Sequence, residues 1–175
     1  MADTELVKKH KVGVYVNNGT EQSPSWVRIE KATDFEISMN PVTEERDYIA
    51  DEHPTTELMD YKPSAELAIT TYKGNPDFDM MYKLYQKKAL GADAQKDLLI
   101  VHIFNSKSVT EEGTETKYYY AEKASATLVL NSWNTSGATL SATANINGTI
   151  KNGYVTLGVN GAPTFTEGDF DSLGD

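Results

Sequence analysis

The chain has 175 residues, a formal net charge of −10 and no cysteine. This length fits a single domain over residues 1–175, and the lack of cysteine excludes a disulfide framework, a cysteine-ligated metal and a thiol nucleophile. The acidic excess makes DNA binding by phosphate neutralisation a poor candidate. The N-terminus MADTELVKKHKVG lacks the apolar run of a signal peptide, and no stretch approaches the roughly 20 apolar residues of a membrane span. We therefore expect a soluble protein made in the cytoplasm.

The first 40 residues contain short segments in which apolar and polar residues alternate. This period of two predicts strands at residues 12–16, 26–29 and 35–39. Asn17-Asn18-Gly19 marks a turn after the first of them.

Residues 40–63 predict a long loop, bounded by Asn40-Pro41 and Lys62-Pro63. The segment has no strong period apart from a possible short strand at residues 47–50. A connection of this length in a compact domain is usually functional or mobile. Its apolar residues indicate contact with a neighbouring subunit; they are Tyr48, Ile49, Leu58, Met59 and Tyr61.

A strand at residues 65–72 leads into the predicted helix at about residues 76–90. Asn75 suits the N-cap, Pro76 the first helical position, and Gly91 a left-handed end. Residues at i, i+3, i+4 and i+7 form one apolar face, which we predict packs on the core. That face contains Phe78, Met81, Tyr82 and Tyr85.

Alternating segments at residues 98–104 and 117–122 predict a hairpin with a long tip, because Glu111-Glu112-Gly113 between them marks a turn. The following residues, 124–166, contain a single charge, Lys151. Asn-Gly pairs at 147–148, 152–153 and 160–161 are turn signals, and the first two predict hairpins. Because charge-free strands invite edge pairing, we expect a closed barrel or a subunit interface, with a covered β-sandwich core as the alternative.

The sequence gives little sign of catalysis. His10, His53 and His102 are far apart, and none has a partner at the spacing of metal ligands. The acidic residues around His53 could bind a divalent cation, but a solvated acidic loop is the better interpretation. Walker, Gly-x-Ser-x-Gly and Gly-x-Gly-x-x-Gly motifs are absent. We predict no catalytic residues, no cofactor and no metal site.

The order of features carries a resemblance. One continuous run, YIADE…TTEL…YKPS…YKGNPDF, covers residues 48–78, and it is followed by the helix, LLIVHIF and the charge-poor β block. This order resembles the major tail tube proteins of long-tailed, siphovirus-like bacteriophages, over most of the chain.

The resemblance implies a mainly β fold with one α-helix, as a β-sandwich or open β-barrel tail-tube fold with a long inter-subunit loop. It implies a structural virion protein, made in the bacterial host cytoplasm, whose hexameric rings stack into the hollow tube for DNA ejection. Expected partners are further copies of the chain and the tape-measure, tail terminator and distal tail proteins, but no membrane. A C-terminal arm at about residues 160–175 would help to bridge rings.

Two groups of residues follow from this resemblance. The apolar residues of the 40–63 loop would make the inter-subunit contact. If the lumen is acidic, other segments than the charge-poor strands must supply the carboxylates, which would repel phosphates so that DNA slides. The candidates are Asp34, Glu36, Asp47 and Glu66.

Two alternatives stay open. The chain could form the inner tube of a contractile tail or of a tail-like bacteriocin. In a different class, it could be a carbohydrate- or protein-binding β-sandwich with an aromatic platform formed by Trp26, Trp133 and residues 118–120.

Overall fold

The computed structural model describes Thr4 and residues 6–174. These residues form ten β-strands, one α-helix and two 3₁₀ turns, which confirms the mainly β class with one helix. The strands are β1 (Val12–Asn17), β2 (Trp26–Arg28), β3 (Ala32–Ser38), β4 (Pro41–Arg46), β5 (Thr55–Tyr61), β6 (Ser64–Thr70), β7 (Gln95–Glu111), β8 (Thr114–Asn134), β9 (Thr139–Leu157) and β10 (Pro163–Glu167). The helix is α1 (Pro76–Lys87), and the 3₁₀ turns are Lys9–Lys11 and Gly91–Ala94.

Eight strands form one antiparallel sheet with the order β2-β1-β7-β8-β9-β6-β3, and β10 pairs with β9. Strands β4 and β5 form a separate two-stranded sheet. The terminal strands β2 and β3 do not pair with each other, so the large sheet is not closed into a barrel. Both of these strands therefore keep a free edge in the single subunit.

Strands β7, β8 and β9 are much longer than the sequence predicts, at 17, 21 and 19 residues. Strands β7 and β8 are joined by Glu112 and Gly113 with φ of 50° and 82°. Two central residues with positive φ are the signature of a tight type I′ turn. The prediction of a hairpin is thus right, but its long tip is wrong because cross-strand pairing continues to Glu111 and Thr114.

Two predicted hairpin turns are also wrong, because Asn147-Gly148 and Asn152-Gly153 lie inside β9. Gly148 has φ of 66° where the β8–β9 register shifts, as expected of a bulge. At Gly153 an added Cβ would lie 2.2 Å from the carbonyl oxygen of Thr166, so glycine permits β10 to approach. By contrast, Gly161, with φ of 70°, lies in the turn before β10.

The sheet carries a hydrophobic core on each face. The larger core packs α1 against the sheet; its members include Phe78, Met80, Met81, Leu84, Leu67, Ile69, Leu128 and Leu140. The smaller core contains Tyr15, Leu99, Val101, Ala121 and Val155. Since β1 and β7 lie between the two cores, residues 98–101 are buried on both faces. This explains their continuous apolar sequence.

Helix α1 ends at Lys87, before the predicted residue 90. Lys88 adopts the left-handed conformation with φ of 48°, and the Ala89 amide donates to the Leu84 carbonyl. On the predicted face, Phe78 and Met81 are buried, Tyr82 is half-buried and Tyr85 is exposed. Gly91, the predicted end, instead starts the next 3₁₀ turn.

The start of α1 is fixed by Asp77 rather than by the Asn75 side chain. Asn75 occupies the N-cap position, but its side chain makes no capping bond to the backbone; its amide donates to Asp77 at 2.7 Å. The fully buried Asp77 carboxylate accepts the backbone N–H groups of Glu30 and Lys31 at 3.1 and 3.0 Å. These bonds join the helix to the β2–β3 connection.

Candidate assembly surfaces

The segment predicted as a loop is a β-hairpin, formed by β4 and β5 with residues 47–54 at its tip. The predicted strand at residues 47–50 is therefore wrong. A register shift leaves Met59 as an extra residue between Leu58 and Asp60, and this breaks the regular alternation of apolar and polar residues along β5.

Polar bonds close the base of the hairpin. Asn40 has φ of 44°, and its side chain donates to the carbonyl oxygen of Lys62 at 3.1 Å and to the Ser64 hydroxyl at 3.0 Å. The Lys62 amide donates in turn to the Asn40 carbonyl. Asparagine tolerates this left-handed conformation better than most residues, so Asn40-Pro41 defines where the hairpin leaves the sheet.

The two faces of the hairpin differ in character. Arg46 lies 3.2 Å from both Glu44 and Glu57 on one face. The pairing register places Leu58 and Tyr61 on the other face. No residue between 41 and 62 is buried.

All five predicted contact residues are exposed: Tyr48 and Ile49 at the tip, and Leu58, Met59 and Tyr61 on β5. The exposed fraction of Leu58 is 52%, and that of Met59 is 54%. An isolated two-stranded hairpin is at best marginally stable in water, and an exposed apolar patch marks an interaction surface. The hairpin is therefore a candidate assembly arm.

A second exposed surface is the outer face of β3, β6, β9 and β8, which we call the open sheet face. Its cross-strand rows follow from the register: Asp34–Ala68–Ser141–Ser132, Glu36–Glu66–Thr143–Val129 and Ser38–Ser64–Asn145–Thr127. Asp34, Glu36, Glu66 and Val129 are exposed on this face, whereas the opposite face of the same strands carries the larger core.

The open sheet face brings together three of the four predicted lumen residues. Asp34, Glu36 and Glu66 share it, and Glu36 lies directly opposite Glu66. Asp47 does not join them, because it lies at the hairpin tip. Directly opposed like charges are unfavourable, so this pair makes the face acidic without stabilising the sheet.

The other residues of these rows are uncharged and mostly small and polar, with Ala68 and the exposed Val129 as the apolar members. Asn131 donates to the Thr143 hydroxyl at 2.8 Å, and the hydroxyls of Ser132 and Ser141 are 2.8 Å apart. These bonds satisfy short side chains within the surface itself. The face thus combines three carboxylates with small, mutually bonded polar groups and offers no cationic side chain in the three rows given above.

A groove of about 670 Å³ lies between β1 and β3, where the open sheet leaves its ends unpaired. Val12, Val14 and Ile29 contribute apolar lining from one side, and Phe35 and Ile37 contribute it from β3. Charged and titratable side chains also line it: Lys9, His10, Arg28, Glu30, Asp34 and His102.

His102 belongs to a polar cluster on β7 and β8. Its Nε2 lies 3.8 Å from Glu122 Oε2, and the Tyr120 hydroxyl donates to Glu122 Oε1 at 3.1 Å. The imidazole of His102 and the hydroxyl of Tyr120 lower the pKa of Glu122, against a smaller upward effect of burial. Burial, reinforced by the charge of Glu122, raises the pKa of Tyr120 to about 12.

The predicted C-terminal arm folds back on its own subunit over most of its length. Pro163–Glu167 forms β10 beside β9, and the buried Phe170 ring lies 5.9 Å from that of Tyr120. The Lys107 ammonium donates to the Asp171 carbonyl. Asp175, the end of that prediction, lies outside the described residues.

The aromatic residues of the alternative binding hypothesis do not form one platform. Trp133 packs edge-on against Tyr82 and Tyr85 of α1, with ring centroids 5.5 and 5.3 Å apart. Trp26 packs instead against the smaller core. The Trp133 ring is thus engaged with α1 and separated from Trp26.

Within Thr4 and residues 6–174, no group of three or more His, Cys, Asp or Glu side chains could hold a metal ion. The same part of the chain has no helix that is long and apolar enough to span a membrane.

No protein-family model matches the chain, and no curated protein matches its sequence. Three solved structures share part of its shape. The anti-feeding prophage (AFP) tube terminating cap is 16% identical with a TM-score of 0.47, over 87% of this chain and 93% of that chain. A chain of the AFP baseplate is 8% identical with a TM-score of 0.43, over 86% and 97%.

The third is a chain of the sheath–tube complex of an extracellular contractile injection system, PVC, in its extended state. It is 13% identical with a TM-score of 0.45, over 84% of this chain and 90% of that chain. These identities and scores are too low to assign a family or a function to the chain.

Proposed function

We propose that this chain is the structural subunit of a phage-tail-like tube, in which six copies form a ring and rings stack into a hollow conduit. The observation that carries this proposal is the β4–β5 hairpin, whose five apolar residues are all exposed in the single subunit. Residues that a chain leaves uncovered in this way are stabilised by burial in an assembly. The resemblance of residues 48–78 to tail tube proteins agrees with the same reading.

The open sheet face is the surface that suits the lumen. Glu36 and Glu66, with Asp34, give it negative charge, and its remaining side chains are uncharged and mostly short and polar. A wall of this kind repels DNA phosphates at close range, so DNA would pass without being held. The unpaired edges of β2 and β3 would be covered by neighbouring subunits, which removes an aggregation hazard.

The resemblance favours a non-contractile, siphovirus-like tail, in which DNA is ejected through the tube. The inner tube of a contractile tail would place the same surfaces at the same contacts. A gene for a sheath protein beside the gene for this chain would assign it to the contractile class, and its absence beside capsid and tape-measure genes would assign it to the non-contractile class.

The decisive experiment is negative-stain electron microscopy of the purified chain at several concentrations, with its mass measured by size-exclusion chromatography and light scattering. We expect six-fold rings or hollow tubes of uniform diameter, alone or after addition of the tape-measure and tail terminator proteins. A chain that stays monomeric at all concentrations and with both partners would overturn the proposal.

A further inference from the structure

The groove between β1 and β3 exposes apolar side chains that face the core side of the sheet. Phe35 and Ile37 lie on the face of β3 opposite to Glu36, yet Phe35 is only half-buried and Ile37 is 38% exposed. Phe35 packs in part against the larger core, but β2 and β3 do not pair, so both side chains stay partly exposed at this end of the sheet. The subunit therefore has an incomplete apolar wall at this place.

Charge is unevenly placed around this groove. Residues 8–11 read Lys-Lys-His-Lys, and both Lys9 and His10 line the groove itself. Arg28 adds a positive charge to the lining, while Glu30 and Asp34 add negative charge. The three lysines within four residues thus make the segment that enters β1 the basic part of the surroundings.

The hairpin has the complementary properties. Residues 40–63 contain seven acidic and two basic side chains, a net charge of −5. The tip, residues 47–53, contains three carboxylates and neither lysine nor arginine. Leu58 and Tyr61 lie on the face of the hairpin opposite to the Glu44–Arg46–Glu57 ion pairs.

We propose that the groove between β1 and β3 receives the β4–β5 hairpin of a second copy of this chain. The apolar face of that hairpin covers Phe35 and Ile37, and its acidic tip lies against the lysines of residues 8–11. This inference rests on the proposed self-assembly, and it assigns the receiving surface. The chain's own hairpin does not fill the groove, because none of its residues is among those that line it.

Cysteine cross-linking tests the contact directly, because the natural chain has no cysteine. Chains carrying Ile37→Cys are mixed with chains carrying Leu58→Cys, assembled, and treated with a short bismaleimide. Both positions are exposed, so folding of the variants should be unchanged, which their melting temperatures check. The matched control replaces the second chain by one carrying Val159→Cys, which is also exposed but lies in the turn after β9.

We expect the first mixture to give covalent dimers at least about tenfold more efficiently than the control mixture.

Charge reversal provides an independent test of the same contact. The variants K8E/K9E/K11E and D47K/D51K/E52K should each reduce tube formation by about tenfold or more, since like charges then meet across the contact. Combining both sets in one chain should restore assembly, because the two surfaces then carry opposite charges again, with the positive and negative sides exchanged.

The outcomes separate this inference from the proposed function. Tubes that form without an Ile37–Leu58 cross-link and that are insensitive to either charge reversal would overturn the docking surface while leaving self-assembly intact. A chain carrying both cysteines that cross-links only within itself would show that the hairpin closes on its own groove, which also overturns the inference. Absence of any assembly, with no cross-link, would overturn both proposals.

Discussion

Asp77 shows at the scale of one residue how a buried charge can organise this fold. The carboxylate is fully buried and accepts the amides of Glu30 and Lys31, which belong to the connection between β2 and β3. It also lies at the N-terminus of α1, where the helix dipole favours negative charge. The hydrogen bonds of this one side chain therefore link the helix to the β2–β3 connection.

Asp77→Asn should lower the free energy of unfolding by about 2–3 kcal/mol, because the new amide group faces N–H donors that then lack an acceptor. Urea denaturation of the unassembled subunit measures this. The control is Asp79→Asn in the same helical turn; Asp79 is half-buried and accepts only the Gly74 amide at 3.2 Å, so its loss should be clearly smaller. Equal effects of the two variants would contradict the role of Asp77.

Glu122 should make the folding stability of the chain depend on pH. Because His102 and Tyr120 lower the pKa of Glu122 in the folded chain, its stabilising contribution is present above the unfolded pKa of about 4.3. The contribution is lost as the pH falls through the folded pKa. Glu122→Gln should therefore destabilise the chain at pH 7 by less than about 1 kcal/mol, since the carboxylate is partly solvated, and the difference should vanish near pH 3.

Melting temperatures of both chains between pH 3 and 8 measure that difference. Glu167→Gln is the control, because Glu167 forms an exposed ion pair with Lys151 at 3.0 Å. Its effect should be small at every pH. A constant difference between Glu122→Gln and the natural chain from pH 3 to 8 would refute the linkage.

At the scale of elements, α1 is held by aromatic packing as well as by its aliphatic face. Tyr82 stacks between Phe78 and Tyr85 with centroid distances of 5.6 and 6.0 Å, and it meets Trp133 of β8 edge-on. Such contacts add to the burial of apolar area. The helix is thus attached to the strand whose outer face forms part of the open sheet face.

Tyr82→Ala should destabilise the subunit by about 2–4 kcal/mol, because a half-buried ring is removed from the centre of this cluster. Thermal and urea unfolding measure the loss. Tyr72→Ala is the control, since the Tyr72 ring is 57% exposed. A melting temperature unchanged by Tyr82→Ala would show that the cluster contributes nothing to the attachment of α1.

At the scale of the whole molecule, the proposed assembly would make the hairpin a contact between subunits. Leu58→Asp and Ile49→Asp should leave the monomer folded, since both side chains are exposed in it. Both should stop tube growth, because a charge buried in an interface costs about 2–5 kcal/mol.

Electron microscopy and circular dichroism measure tube growth and folding for these variants. Val159→Asp introduces the same charge at a position outside the hairpin that is as exposed as Ile49, and it should leave tube growth unchanged. Tubes of normal length from both hairpin variants would refute the assignment of the hairpin as the assembly arm.

The open sheet face should control how the tube treats DNA. Tubes of the natural chain should not retain short duplex DNA, whereas Glu36→Lys with Glu66→Lys should make them retain it at low salt, because the proposed lumen would then present cations to phosphate. Retention is measured by co-sedimentation over a range of salt concentrations. The control, Glu111→Lys with Glu112→Lys, makes the same charge change in the β7–β8 turn. Equal retention by both variants would argue against a luminal position of Glu36 and Glu66.

Much of this architecture could be predicted from the sequence, where local chemistry decides. The helix at residue 76 follows from Asn75-Pro76 and the face of Phe78 and Met81, because helix signals lie within a few residues of each other. The strands predicted at residues 12–16 and 65–72 from alternation correspond, within two residues at each end, to β1 and β6 for the same reason. The acidic composition and lack of cysteine belong to the sequence alone.

Features that depend on pairing between strands distant in the sequence could be established only from the tertiary structure. Residues 40–63 form a hairpin rather than a loop because β4 and β5 pair across a bulge that hides the period. Gly153 lies in a strand rather than a turn because β10 pairs with β9 beside it. A side chain at position 153 would collide with the Thr166 carbonyl of β10. Glu36 and Glu66 meet through the β3–β6 register while Asp47 stays apart, since register sets which side chains share a face.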